Sequence, residues 1–338
     1  MTHSANNNPP TTPNMLPTFN PALPIPYPVP SPTEQTLPER ESIVKAIVLL
    51  CLLAASLILA EVAARSLPVW AAWPALFVLG LVDVVVFTGM AVLAHEAEHR
   101  VLFRNSFWNE FVGCWLSAFT LIPFYANRQY HLTHHSYTHQ KGLDPETRMH
   151  DRPFWQALFF GAILGMYDQY RLVWENIRNA RDPKRAKRAL YDVGSMSVVF
   201  AFYAVLLPWL GISAWHTLLP ITLAFPFAFA FRAMSDHWGL PAVEPKHRAR
   251  TEIMDAFEQT DNGVDRRQAN AWIILTPTWL AWLWSNINYH EVHHKYPWLS
   301  HRYLPIIYHA TAEQYPYRVV HGYWRSLWNL RKMPYYCD

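Results

Sequence analysis

Two long, predominantly apolar runs, residues 42–65 and 70–94, stand four residues apart near the start of the chain. Each is long enough to cross ~30 Å of hydrocarbon at ~1.5 Å of rise per residue. Over such a run only a helix satisfies its own backbone polar groups, so the pair reads as a helical hairpin through a bilayer. Residues 190–210 and 214–234, joined by the uncharged Gly211-Ile212-Ser213, repeat the arrangement. The expectation is an all-α integral membrane protein with four transmembrane helices in two hairpins. Composition agrees: 51% hydrophobic, 15% aromatic and only 16% charged residues is too apolar for an ordinary soluble domain. Two shorter apolar stretches, 107–125 and 272–284, carry Pro and several Trp or Tyr. They predict interfacial or re-entrant helices, with 107–125 as half of a further hairpin as the alternative.

Residues 1–40 are rich in Pro, Asn, Thr and Ser and predict a disordered tail ahead of one domain at 41–338. No basic segment followed by an apolar one opens the tail, so it does not read as a secretory signal. Charge sets the expected orientation. Arg171, Arg178, Arg181, Lys184, Arg185, Lys187 and Arg188 cluster between the hairpins, while links 66–69 and 211–213 hold no Lys or Arg. The positive-inside rule then puts the tail, residues 100–188 and everything after Arg232 in the cytoplasm. A net charge of +3 gives no reason to expect nucleic acid as a partner.

Histidine is the outlying residue type. His95 and His99 follow the second run at helical i, i+4 spacing; His131, His134, His135 and His290, His293, His294 repeat an HxxHH pattern. Each set shares one helix face. Seventeen histidines in 338 residues give roughly 0.04 chance occurrences of HxxHH per chain. All-imidazole ligation suits iron, copper or zinc, and so many rings exceed what one ion uses. The three cysteines form no CxxC pair. A zinc hydrolase, which needs three protein ligands and an open position, is the competing enzyme reading. A metal transporter would hold its ligands inside the spans rather than beyond their ends.

These boxes resemble the membrane fatty acid desaturase and hydroxylase superfamily, whose pattern is HxxxH, HxxHH, HxxHH. The second box continues to Asp144-Pro145-Glu146, and the third sits in Asn286-Ile287-Asn288-Tyr289 before Pro297, both similar to the family's runs. His237, in Ser-Asp-His-Trp-Gly, is similar to a further family ligand, with Asp236 where the family has Glu. Glu98 departs from the small residue common before the second histidine. The resemblance implies a cytoplasmic helical cap holding two iron ions, with O2 as co-substrate, in a bacterial inner membrane. It implies attack on C–H bonds of a fatty acid or acyl lipid, giving an alkene by desaturation or by oxidative decarboxylation of a free acid. The layout is similar to bacterial desaturase-like decarboxylases that make 1-undecene; hydroxylation of a lipid, alkane or carotenoid is the alternative on the same scaffold.

No haem-anchoring segment or rubredoxin-like cysteine pair is present, so electrons are expected from a separate ferredoxin with its reductase or a cytochrome. The basic stretch 171–188 could dock that donor or contact anionic lipid. Ligating imidazoles usually give their other N–H to a carboxylate or carbonyl. Glu98, Asp144, Glu146 and Asp236 are the candidates for that role. Glu96 and Glu291 are turned from the ligand face by helical geometry. Asp83, deep in the second run, is an expensive intramembrane charge expected to serve a channel or a neighbouring helix. His139, His150, His301, His309 and His321 are expected to be surface or structural, with His139 the foremost exception.

Overall fold

The structure, a computed structural model, describes residues 27–213, 232–243 and 271–337. It opens with α1 (Glu39–Ser66) and α2 (Val69–Glu98), the expected hairpin. Pro68 forces the break: it drives Leu67 into extended conformation (φ −97°, ψ 146°), and the chain reverses there. Leu49, Leu53 and Leu57 of α1 are buried in one core with Val86, Phe87, Met90 and Leu93 of α2. Gly89 permits the close approach, since a Cβ there would stand 2.7 Å from Leu49 Cδ2. Asp83 is buried and turned toward Ser56 of α1.

Helix α3 (Ser106–Phe119) is capped by the Asn105 side chain, and Pro123 starts α4 (Phe124–Tyr137). Short α5 (Pro145–His150) precedes the long α6 (Phe154–Arg178) and α7, which runs from Pro183 to Trp209 through a π-helical turn at Phe202–Leu206. A short helical segment, α8, covers 232–237. Then follow β1 (Ile273–Leu275), α9 (Thr278–Leu283), α10 (His290–Lys295), α11 (Tyr303–Thr311), β2 (Val319–His321) and α12 (Tyr323–Leu330).

Among the described residues three helices are long and apolar enough to cross a membrane: α1, α2 and α7. Only 33%, 44% and 28% of their most apolar windows is buried in the protein. Ile47, Ile58, Trp73, Phe77 and Val205 face outward, a surface that water would not tolerate at this extent and a bilayer would. The expected fourth span, 214–234, lies outside the described residues but for its last turn.

The fold is mostly helical, consistent with the all-α expectation, and β1 and β2 add one short parallel pair, Ile273 against Val319. Other expectations need correction. The stretch 272–284 is not one helix, because Pro277 cannot donate and Ile273-Ile274 take the strand instead. The stretch 107–125 is not one helix: α3 stops at Phe119 and Pro123 starts α4, with exposed Phe107, Trp108 and Phe111 opposite the buried face of α3. Part of the segment read as a disordered tail is seated: Gln35 Nε2 donates to Trp298 O, Gln35 Oε1 accepts from Ser300 N (3.0 Å), and Thr36 N donates to Tyr303 Oη (2.9 Å). Residues 1–26 lie outside the described residues. Helix α6 had no counterpart in the sequence reading. Its buried face carries Gly161 and Gly165 against Met149, and its exposed face carries Trp155, Phe159, Ile163, Tyr167 and Trp174.

Candidate metal centre

Four elements deliver the histidines. The last turn of α2 carries His95 and ends at His99, so the first box continues the span as one helix instead of following it. Helix α4 brings His131, His134 and His135; α8 brings His237; α10 brings His290, His293 and His294. Helix α4 is aimed by α7, whose buried Asp192 accepts from the otherwise unpaired Tyr125 N (2.7 Å) and Ala126 N (3.0 Å) at its start. Helix α10 is only six residues long and is held by the residues around it. Ser285 and Asn286 adopt positive φ (46° and 52°) in the turn before it. Asn286 Nδ2 donates to His301 O (3.0 Å), and Asn288 Nδ2 donates to Ile274 O (3.1 Å).

The nine rings meet in two groups. His95, His99, His131, His135 and His293 form one; His134, His237 and His294 form the other, the donor atoms within each lying within 4.8 Å of one another. His290 joins the second through Nε2 contacts of 2.9 Å to His237 and 3.1 Å to His294. Consecutive residues part company: His134 and His135 go to different groups, as do His293 and His294.

The spacing fits ligation. In the first group the Nε2 atoms of His99, His135 and His293 stand 2.9, 2.8 and 3.1 Å from Nε2 of His131, His131 and His135 respectively. In the second, His134, His237, His290 and His294 close a ring with Nε2 edges of 3.2, 2.9, 3.1 and 3.4 Å. Donors about 2.0–2.1 Å from a metal stand about 2.9 Å apart in an octahedron and about 3.4 Å apart in a tetrahedron. Burial holds His131, His135, His290, His293 and His294 well below the ordinary histidine range, so these rings are neutral. Neutral rings that turn their lone pairs toward one point repel, and a cation at that point converts the repulsion into bonding.

The outer nitrogens of His134 and His294 find partners. His134 Nδ1 donates to Oδ1 of fully buried Asp144 (3.0 Å), with Glu146 Oε2 at 3.8 Å. Burial lowers the His134 pKa, but Glu146 and Asp144 outweigh it and raise it to about 9. Asp144 also caps α5 through Glu146 N (2.9 Å) and accepts from His139 N (2.7 Å). His294 Nδ1 stands 3.4 Å from Thr138 Oγ1. Asp236 Oδ2 lies 3.8 Å from His290 Nε2 and pairs with Arg232 Nη2 at 2.9 Å.

Glu98 is elsewhere: its Oε1 accepts from Asn127 Nδ2 (2.6 Å), and Asn127 Oδ1 accepts from Gln169 Nε2 (2.7 Å), tying α2 to α4 and α6. Glu96, expected to face away, is fully buried. Its Oε2 accepts from His301 N (2.9 Å), and its Oε1 lies 3.7 Å from His95 Nδ1. Glu291 accepts from Arg318 N at 3.1 Å. His139, His150 and His301 are fully buried, whereas His309 and His321 are exposed. The sequence alone gives His301 no partner, because Glu96 lies 205 residues away in the chain. A cavity touches both groups, lined by His95, His131, His237 and His290 together with Asn127, Tyr130, Glu146, Arg232 and Asp236.

Comparison with known proteins follows the same line. A family model described as fatty acid desaturase matches residues 68–326. Dihydrorhizobitoxine desaturase of Bradyrhizobium elkanii is 26% identical over 245 residues, 63% of this chain and 62% of that protein. The chain therefore spans about three fifths of that relative's length. The family match covers more than half of the chain, from the start of α2 onward, and all nine histidines: the chain is a membrane protein that belongs to the fatty acid desaturase family.

Proposed function

We propose that this chain is an oxygen-dependent oxidoreductase in which the nine histidines hold two iron ions and an alkene is formed from a fatty acid or acyl chain. The observation that carries the reading is the pair of imidazole groups with ligand-like edges, sharing one cavity. In desaturation two adjacent C–H bonds break, a C=C bond forms, and O2 with two electrons and two protons leaves as two waters. With a free acid, the C–C bond to the carboxyl group and one C–H bond on the β-carbon break, CO2 leaves, and O2 with two electrons and two protons again ends as two waters, giving a terminal alkene one carbon shorter. Bound iron supplies the oxygen chemistry that side-chain acids and bases cannot.

The protein's own part is positional. Asp144 keeps a hydrogen on His134 Nδ1 and leaves Nε2 for the metal. The core around Met234, Trp238 and Trp272 keeps water from the rings. Electrons come from a separate one-electron donor, a ferredoxin with its reductase or a cytochrome. The exposed Arg171, Arg178, Arg181 and Lys184 offer an acidic donor, or anionic lipid, a cytoplasmic docking face.

The test supplies membranes containing the protein with a fatty acid panel, O2 and a reducing system, and reads products by mass spectrometry. An internal alkene, or a terminal alkene one carbon shorter, is expected. Turnover undiminished without oxygen overturns the reading, and an alcohol as sole product overturns the alkene assignment.

A further inference from the structure

We infer that Asp236 supplies an oxygen ligand to the metal ion held by His134, His237, His290 and His294. The inference rests on the two-ion reading above and goes beyond it by adding a tenth ligand of different chemistry. The buried acids near the rings differ in which nitrogen they approach. Asp144 and Glu146 face Nδ1 of His134, and Glu96 faces Nδ1 of His95, all on the outer side of their rings. Asp236 alone among the described carboxylates approaches a metal-facing nitrogen: Oδ2 is 3.8 Å from Nε2 of His290, the atom in contact with Nε2 of both His237 and His294. It is fully buried and lines the cavity that the two imidazole groups share.

Coordination number leaves room for it. In a six-coordinate ion a four-imidazole set leaves two positions open, a five-imidazole set one. Charge favours it as well. Neutral imidazoles do nothing to offset two divalent ions in a site removed from water, and a directly bound carboxylate does. Iron accepts histidine and carboxylate together. Arg232, one helical turn earlier, holds Oδ2 at 2.9 Å and so fixes the carboxylate on the cavity side, beside the ring that needs it.

The test uses the full-length protein in detergent, reconstituted with 57Fe and read by Mössbauer spectroscopy and chelator competition. Wild type should show two iron sites. Asp236→Asn, which keeps size and removes charge, should shift the signal of one site, leave the other in place, and weaken iron at the shifted site 10–100-fold. Asp236→Glu should restore the signal, because a carboxylate is again within reach. Two unchanged sites in Asp236→Asn overturn the inference while the two-ion reading stands. Loss of the folded melting transition in both variants assigns Asp236 a structural role and also overturns it. Fewer than two irons in wild type overturns the two-ion reading and this inference with it.

Discussion

Replacing Asp144 separates the metal-holding role of a carboxylate from its role in the fold. The side chain is fully buried and accepts from His134 Nδ1 (3.0 Å), Glu146 N (2.9 Å) and His139 N (2.7 Å). Asp144→Ala removes all three bonds. Loss of the helix cap costs about 1 kcal/mol, and a buried His139 N–H left unpaired costs about 1–3 kcal/mol, so stability should fall by about 2–4 kcal/mol. The freed His134 ring loses the partner that fixes its tautomer, which should cost 10–100-fold in metal affinity, or about 1.4–2.7 kcal/mol. Asp144→Asn is the milder change. Its one carbonyl oxygen, placed where Oδ1 stands, still caps α5 and faces His134 Nδ1, but its Nδ2 cannot accept from His139 N, so stability should fall by about 1–3 kcal/mol. It holds the imidazole N–H less strongly than a carboxylate, so iron affinity should still drop about tenfold. Thermal unfolding in detergent reads the first quantity and chelator competition the second. Wild-type iron affinity in both variants would refute the argument.

Further outcomes follow from individual contacts. His131→Ala and His294→Ala should each lower iron content from two toward one per chain while membrane insertion survives, because the two rings serve different groups; retention of both irons in either variant contradicts the grouping. Glu98→Gln should leave iron content unchanged, since its Oε1 reaches Asn127 rather than a ligand ring; metal analysis decides. Gly113→Ala would put a Cβ 2.3 Å from the Phe124 ring and should cost about 1–3 kcal/mol in a melting experiment. Gly194→Ala, with nothing within 4 Å of its Cβ, should be neutral or gain up to about 1 kcal/mol.

What the sequence disclosed depended on the range of the signal. Periodicity of three and four on a helix is local, so the clustering of His131 with His135, and of His290 with His294, was legible without coordinates. The apolar length of α1 and α2 was legible for the same reason. Partners far apart in the chain were not. His301 meets Glu96 across 205 positions, and Gln35 meets Ser300 across 265, and no spacing rule announces either. Helix α6 escaped because its apolar residues alternate between a face buried against Met149 and an aromatic face turned outward, with Asp168, Gln169 and Arg171 interrupting the run. The strand at Ile273–Leu275 depends on pairing with Val319–His321, a tertiary event that overrides the helical look of a Trp-rich stretch. Glu98 shows the converse: adjacency to His99 in sequence put it near the ligands, but the helix turned its carboxylate toward Asn127.

Two metal ions held by nine imidazoles can be counted. Elemental analysis of protein purified from iron-replete cells, with protein quantified by amino-acid analysis, measures their number directly. Two irons per chain, falling when either His131 or His294 is replaced, is the predicted result; one ion per chain, or zinc in place of iron, would contradict it.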